Sequence, residues 1–289
     1  MSTREALEGR TALFGPLVRR TLVHLGAWLI LLVRPPVPAM PNAGPVREGR
    51  FWPLFTVGAV LAIAASMFLL DAWAAMQQRQ LPAGVVQAFA QITGFGKSGW
   101  FLWPIAALVA ALALLARSDL GRHANLTVLA LAVRLEFLFF AIGIPALLVS
   151  IVKRLIGRVR PSAFGPFYYV PFSWRPDYAS MPSGHSTAAF AAAFAIGAVW
   201  PRARVPMWIY AGVIAISRVA VHAHFPSDVI AGAFVGTLGA LLVRDWFAAR
   251  RLAFVRTPQG AVRPLPGPGR GRIGKLAAHM AGMRGATDG

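Results

Sequence analysis

The sequence predicts an all-α, polytopic membrane protein with six transmembrane helices and both termini cytoplasmic, and three observations carry that expectation. Apolar residues make up 57% of the 289 positions and charged residues 13%, with a mean hydropathy of +0.59, which is too apolar for a soluble domain. Six apolar runs, at 52–70, 99–116, 126–152, 186–200, 205–221 and 229–246, suit the ~30 Å hydrocarbon layer of a bilayer. The basic residues between these runs are unevenly shared between the two sides.

Taken in order, residues 1–50 form a basic cytoplasmic or interfacial segment. Its run 22–33, between Arg19-Arg20 and Arg34-Pro35-Pro36, is too short to span as a helix and reads as interfacial or re-entrant. Arg34-Pro35-Pro36 is a poor cleavage context, which argues against a removed signal. Residues 51–248 hold the six spans. The fourth span is short, and the third contains Arg134 and Glu136, read as an interfacial or interhelical polar pair. Residues 249–289, rich in Pro, Gly and Arg, are expected to be a flexible basic tail.

Threading six spans puts the Lys and Arg of residues 1–50, 117–122, 202–204 and 250–289 on one side. The positive-inside rule makes that side the cytoplasm. Arg79, Lys97, Lys153, Arg154, Arg158, Arg160, Arg175 and Arg218 fall outside. A net charge of +19 suits a bilayer with anionic lipids or an anionic substrate. No basic, aromatic-interleaved stretch suggests a nucleic-acid partner. Without cysteine, disulfides, thiolate metal sites and cysteine nucleophiles are excluded.

Three blocks concentrate the outer charge. "KRLIGRVRP", residues 153–161, ends the third span. If the helix runs through it, Lys153 and Arg160 lie about two turns apart on one face, suited either to a phosphate or to anchoring in headgroups. "PSGH", residues 182–185, opens the fourth span. Ser183 and Gly184 would offer helix-start amides to an anion, with His185 beside it as a proton donor, or the block is a capping turn with an interfacial histidine. "SRVAVHAHFPSD", residues 217–228, joins the fifth and sixth spans. Arg218 adds a cation, and His224 and Asp228 stand one helical turn apart, so the carboxylate can orient the imidazole as a nucleophile. His222, whose fourth neighbour is Pro226, reads as a bystander. Antiparallel threading brings the three blocks to one face.

The order Lys-x6-Arg-Pro, Pro-Ser-Gly-His, Ser-Arg-x5-His-x3-Asp resembles the three-part signature of the type 2 phosphatidic acid phosphatase superfamily, which also includes vanadium haloperoxidases and glucose-6-phosphatase. The motifs lie within residues 153–228, and the span layout extends the similarity over roughly 52–246. The resemblance implies a membrane lipid phosphatase with His224 as nucleophile, His185 as acid and base, and Asp228 supporting the imidazolium. Lys153, Arg160, Arg218 and the amides near Ser183 and Gly184 would hold the phosphate. No cofactor or metal is implied, and the expected partner is a lipid phosphate, with oligomeric state left open.

That reading expects the bacterial inner membrane, with the site facing the periplasm, and hydrolysis of a phosphomonoester or pyrophosphate. A phosphotransferase using a lipid acceptor in place of water is the alternative. A non-catalytic lipid-binding protein should have lost His185, His224 or Asp228, and all three are present. Residues 162–180 are expected to act as a lid and specificity loop, or their Tyr168, Tyr169 and Trp174 form an interfacial belt. Arg175 is a candidate for a second phosphate.

Overall fold

A computed structural model of the chain describes residues 3–37, 52–116, 121–163, 165–269, 271–274, 276 and 278. The fold is mainly helical. The helices are α1 (Thr3–Val33), α2 (Trp52–Leu69), α3 (Asp71–Gln78), α4 (Ala83–Thr93), α5 (Gly99–Leu115), α6 (Arg122–Ile156), α7 (Gly184–Val199), α8 (Arg204–Ala220) and α9 (Pro226–Ala249), followed by a two-stranded hairpin, β1 (Phe254–Arg256) and β2 (Val262–Pro264).

The six apolar runs fall on α2, α5, α6, α7, α8 and α9. By length and composition, Ala83–Leu115, α6 and α9 can cross a bilayer, and α2 with α3, bent by 54°, makes a fourth candidate. Helices α7 and α8, of 16 and 17 residues, reach only ~25 Å at 1.5 Å per residue. The reason for the short α7 is its place in the middle: it packs on α6, α8 and α9. Ala188, Ala189, Ala191, Ala192, Ala193 and Ala195 are all fully buried. Small side chains let backbones approach closely in an apolar medium. At Gly236 of α9 an added Cβ would stand 2.3 Å from the Thr187 carbonyl oxygen, and at Gly232 2.5 Å from that of Ser183.

Chain direction puts the C-terminal ends of α6 and α8 beside the N-terminal ends of α7 and α9. The far end is closed by aromatics: Phe137 meets Phe247 and Phe254 edge-on at 5.5 and 4.7 Å. Two expectations change here. Residues 22–33 are the last part of a 31-residue helix, because the pattern continues back to Thr3. Trp28 is buried against Ala113, Val128 and Ala132, and Trp246 Nε1 donates to the Leu32 carbonyl at 2.9 Å. The stretch after residue 249 is a hairpin packed on the core as far as its described part goes, because Phe254 is apolar enough to bury and Arg134 donates to the carbonyls of Leu265 and Pro266 at 2.9 and 3.1 Å. Residues 279–289 lie outside the described part.

Candidate active site

The first motif does not stay helical to Pro161. Helix α6 ends at Ile156 and Gly157 adopts the left-handed conformation (φ 65°), where a side chain is strained. An added Cβ there would also lie 1.8 Å from the Val170 carbonyl oxygen. The loop 165–180 presses on this turn: the amides of Val170 and Val159 donate to Gly157 and Tyr168, at 2.8 and 3.1 Å, and Ser180 donates to Arg158 at 3.0 Å. Arg160 therefore reaches the site on an extended segment, not on the Lys153 helix face. Its Nε donates to the Pro176 carbonyl at 3.0 Å. It still lies within electrostatic reach of Lys153, Arg218 and His224.

Ser183 is the N-cap of α7. Its hydroxyl accepts from Ser186 N at 3.5 Å and Ser186 Oγ at 3.1 Å, and its amide donates to the Asp228 carbonyl at 3.0 Å. The hydroxyl oxygen thus accepts within the cap, and the amide is engaged by Asp228. The amides of Gly184 and His185, at the first two helical positions, have no intrahelical acceptor and carry the positive end of the helix dipole.

His224 is 3% exposed and Asp228 is fully buried. Their separation, His224 Nδ1 to Asp228 Oδ2, is 3.7 Å, too long for a direct hydrogen bond and close enough for an ion pair once the ring is cationic. Ser180 stands between them, donating to Asp228 Oδ2 at 2.5 Å and lying 3.5 Å from His224 Nδ1. The Phe225 amide also donates to Oδ2, at 2.9 Å. Burial pulls the His224 pKa below its ordinary 6.5, with Asp228 opposing, so the ring is neutral near pH 7. His222 is engaged elsewhere, its Nε2 2.6 Å from the Gln78 carbonyl.

His185, one residue ahead of the fourth apolar run, lies within electrostatic reach of three cations and a second imidazole. Burial first, then Arg218, His224, Lys97 and Lys153, push its pKa down to about 3. Arg218 donates to Thr93 Oγ1 at 2.7 Å. The turn after Thr93 abuts His185, since an added Cβ at Gly96 would sit 3.0 Å from its ring and 2.6 Å from Ile214. Lys97 follows that turn. Among the described residues, no carboxylate lies within ion-pair distance of Lys153, Arg160 or Arg218.

The residues that sequence reasoning passed over are Arg158, Asp71, Ser227, Ser180, Thr93 and Lys97. Arg158 was only one of the outer charges, yet it is fully buried. Its Nη1 donates to Asp228 Oδ1 at 2.6 Å and Ser227 Oγ at 2.7 Å, its Nη2 to Asp71 Oδ2 at 2.7 Å, and Nε and Nη2 to the Pro166 carbonyl at 3.1 and 3.0 Å. All five guanidinium hydrogens thus have an acceptor. The available signal was a carboxylate, Asp71, at the end of an apolar run, where a charge is costly unless it has a partner.

The arrangement gathers two histidines and the cations Lys153, Arg160 and Arg218 at one end of a helical membrane bundle. The chain belongs to the PAP2 superfamily. Residues 135–252 match that family. A lipid A 1-phosphatase from Rhizobium johnstonii is 38% identical over 210 residues, covering 69% of this chain and 82% of the relative. One from Rhizobium etli is 37% identical over 210 residues, covering 69% and 86%. A transmembrane PAP2-type phosphatidylglycerolphosphate phosphatase from Bacillus subtilis, known as a crystal structure, is 20% identical with a TM-score of 0.41, covering 78% of this chain and 95% of that one. The enzyme class that comes with this membership is phosphoric monoester hydrolase.

Proposed function

We propose that the protein is a metal-independent phosphatase of lipid A or a closely similar lipid phosphate, working from the periplasmic face of a bacterial inner membrane through a phosphohistidine. The observation that carries it is the set of cations with no carboxylate at ion-pair distance among the described residues, Lys153, Arg160 and Arg218, around two histidines at the mouth of the bundle. The names of the two Rhizobium relatives point to lipid A as the lipid. The six runs on α2, α5, α6, α7, α8 and α9 are read as six spans with both termini in the cytoplasm, from the basic excess on that side.

In this reading Lys153, Arg160, Arg218 and the amides of Gly184 and His185 hold the phosphate oxygens. These groups match the charge of the transition state, which spreads over the three equatorial oxygens. Neutral His224 attacks phosphorus through Nε2 as the bond to the lipid oxygen breaks, and Asp228 balances the imidazolium that forms. His185 gives a proton to the leaving oxygen. In the empty site His185 is unprotonated. A phosphate arriving as monoanion supplies the missing proton, and the dianion left behind offsets the cations that depress His185. Water then attacks the phosphohistidine and loses a proton to His185, which frees phosphate and restores His224.

The test is phosphate release from lipid A by detergent-purified protein in EDTA, with quenching in alkaline SDS to trap phosphoprotein. Wild-type protein should release phosphate and carry an acid-labile phosphate, and His224→Ala should do neither while remaining folded. Release that persists in His224→Ala, or that requires an added divalent metal, overturns the mechanism.

A further inference from the structure

The group formed by Asp71, Arg158 and Asp228 has a charge that neither carboxylate would give by itself. Arg158 lies between the two carboxylates, 2.7 Å from Asp71 and 2.6 Å from Asp228, and the three side chains are fully buried. One guanidinium and two carboxylates sum to a single negative charge. Ser227 closes the group: its amide donates to Asp71 Oδ1 at 3.0 Å and its hydroxyl to Asp71 Oδ2 at 2.5 Å. This is a costly construction, since each buried charge must be met by a partner. A pair of Arg158 and Asp228 alone would hold the carboxylate in place equally well, and it would be neutral.

We propose that Asp71 is a positioning residue for the reaction: by occupying one side of the Arg158 guanidinium, it leaves Asp228 held in place but still negative toward His224. The reason lies in the charge that appears during turnover. As His224 bonds to phosphorus its ring becomes cationic, and a buried cation needs a net negative neighbour. With Asp71 the buried group goes from one negative charge to none when the imidazolium is counted. Without Asp71 it would go from none to one positive charge, beside Arg218 and Arg160, which already act on His224. Asp71 sits at the start of α3, just past the bend that follows α2, so the first apolar run is tied by this contact to the start of α9. This role rests on the phosphohistidine reading above.

Asp71→Asn keeps the shape and removes the charge. The expected result is a kcat lowered roughly 10- to 100-fold with KM within about threefold, the scale on which groups that act through a catalytic side chain matter. The acid limb of kcat should also move to lower pH by about half a unit or more, because removing a nearby negative charge makes the His224 imidazolium harder to form. A purely structural loss would lower the amount of active protein and leave that limb in place. The groups acting on His224 are Asp228, Arg218 and Arg160, with His185 across the site, and none is altered.

The double variant Asp71→Asn/Arg158→Met returns the buried group to one negative charge. Its acid limb should lie nearer to wild type than that of Asp71→Asn, and this reading does not need the single variant to fold. Folding is checked by gel filtration and thermal unfolding in detergent. A folded Asp71→Asn with an unmoved limb and kcat within threefold of wild type overturns the inference alone, as does a double variant whose limb is displaced to lower pH by half a unit or more. Wild-type protein that forms no acid-labile phosphoprotein overturns the phosphohistidine reading, and the role of Asp71 with it.

Discussion

The two ends of the bundle are closed with opposite materials. At the motif end α3, α9 and the segments that follow α6 and precede α7 meet around buried charge, with Arg158 bridging Asp71 and Asp228 and Ser180 and Ser227 completing the contacts. At the aromatic end α6, α9 and β1 meet around Phe137, Phe247 and Phe254. Apolar closure is non-directional and tolerant of small shifts. Closure by buried charge demands every partner at its distance, because an orphaned charge costs far more than a lost methyl group. The aromatic end is therefore built to hold the bundle together, and the motif end to hold a few atoms in place.

The comparison can be broken most sharply at His224. His224→Ala should lower phosphate release by at least roughly 10⁴-fold, the scale seen when a nucleophile is removed, while thermal unfolding shows a folded protein. His185→Ala comes next, with an expected loss of about 10²- to 10⁴-fold. A smaller loss with a leaving group that needs no proton would sharpen its assignment as acid. At the aromatic end the pattern should reverse. Phe254→Ala should destabilise by about 3–5 kcal/mol, as large core truncations do, and leave kcat per folded molecule within about twofold of wild type. A kcat that falls as far as it does in His185→Ala would show that the two ends are not separate.

The pH profile gives a smaller effect. His224 must be neutral to attack, and burial sets its pKa below 6.5. The acid limb of kcat/KM, which reports the free enzyme, should therefore lie below pH 6.5, with activity retained where an ordinary histidine would already be half protonated. Stability follows the same sign. A depressed pKa contributes stability that is present above 6.5 and is lost as pH falls toward the folded value. An acid limb at or above pH 6.5 would count against this environment. The smallest effect is expected at Arg175, which is paired at 3.6 Å with Asp177 at exposures of 72% and 59%. Such pairs matter little, so Arg175→Ala should change KM by less than about threefold. A larger rise would make Arg175 a contact for a second phosphate.

Much of this could be read before any coordinates. The apolar runs locate the helices of the bundle, and the motif residues Lys153, Arg160, His185, Arg218, His224 and Asp228 come within electrostatic reach of one another across the site. Both are local properties: apolar length is counted along the chain, and one helical turn brings positions four apart together. Several details needed the third dimension. The helical reading of residues 153–160 failed at Gly157, where the pressing loop from Val170 is invisible in the local pattern. The hairpin after residue 249 was missed because Phe254 looks like part of a basic tail until Phe137 and Phe247 are seen to receive it. That Ser183 caps α7, one of the two roles its position allowed, is visible only once Ser186 is seen to reach it.

By itself, the sequence determined the membrane character, the order of the helices and the residue types that can bind and transfer a phosphate, because hydrophobicity and short-range spacing are written along the chain. Only the tertiary structure decided which charges are neutralised. Arg158 and Arg160 are two residues apart and chemically identical. One is buried between Asp71, 87 residues away, and Asp228, 70 residues away, while the other is left to the site. The physical reason is that the strength of a charge depends on its partners and its exclusion from water, and both are set by segments that are distant in sequence and meet only when the helices pack.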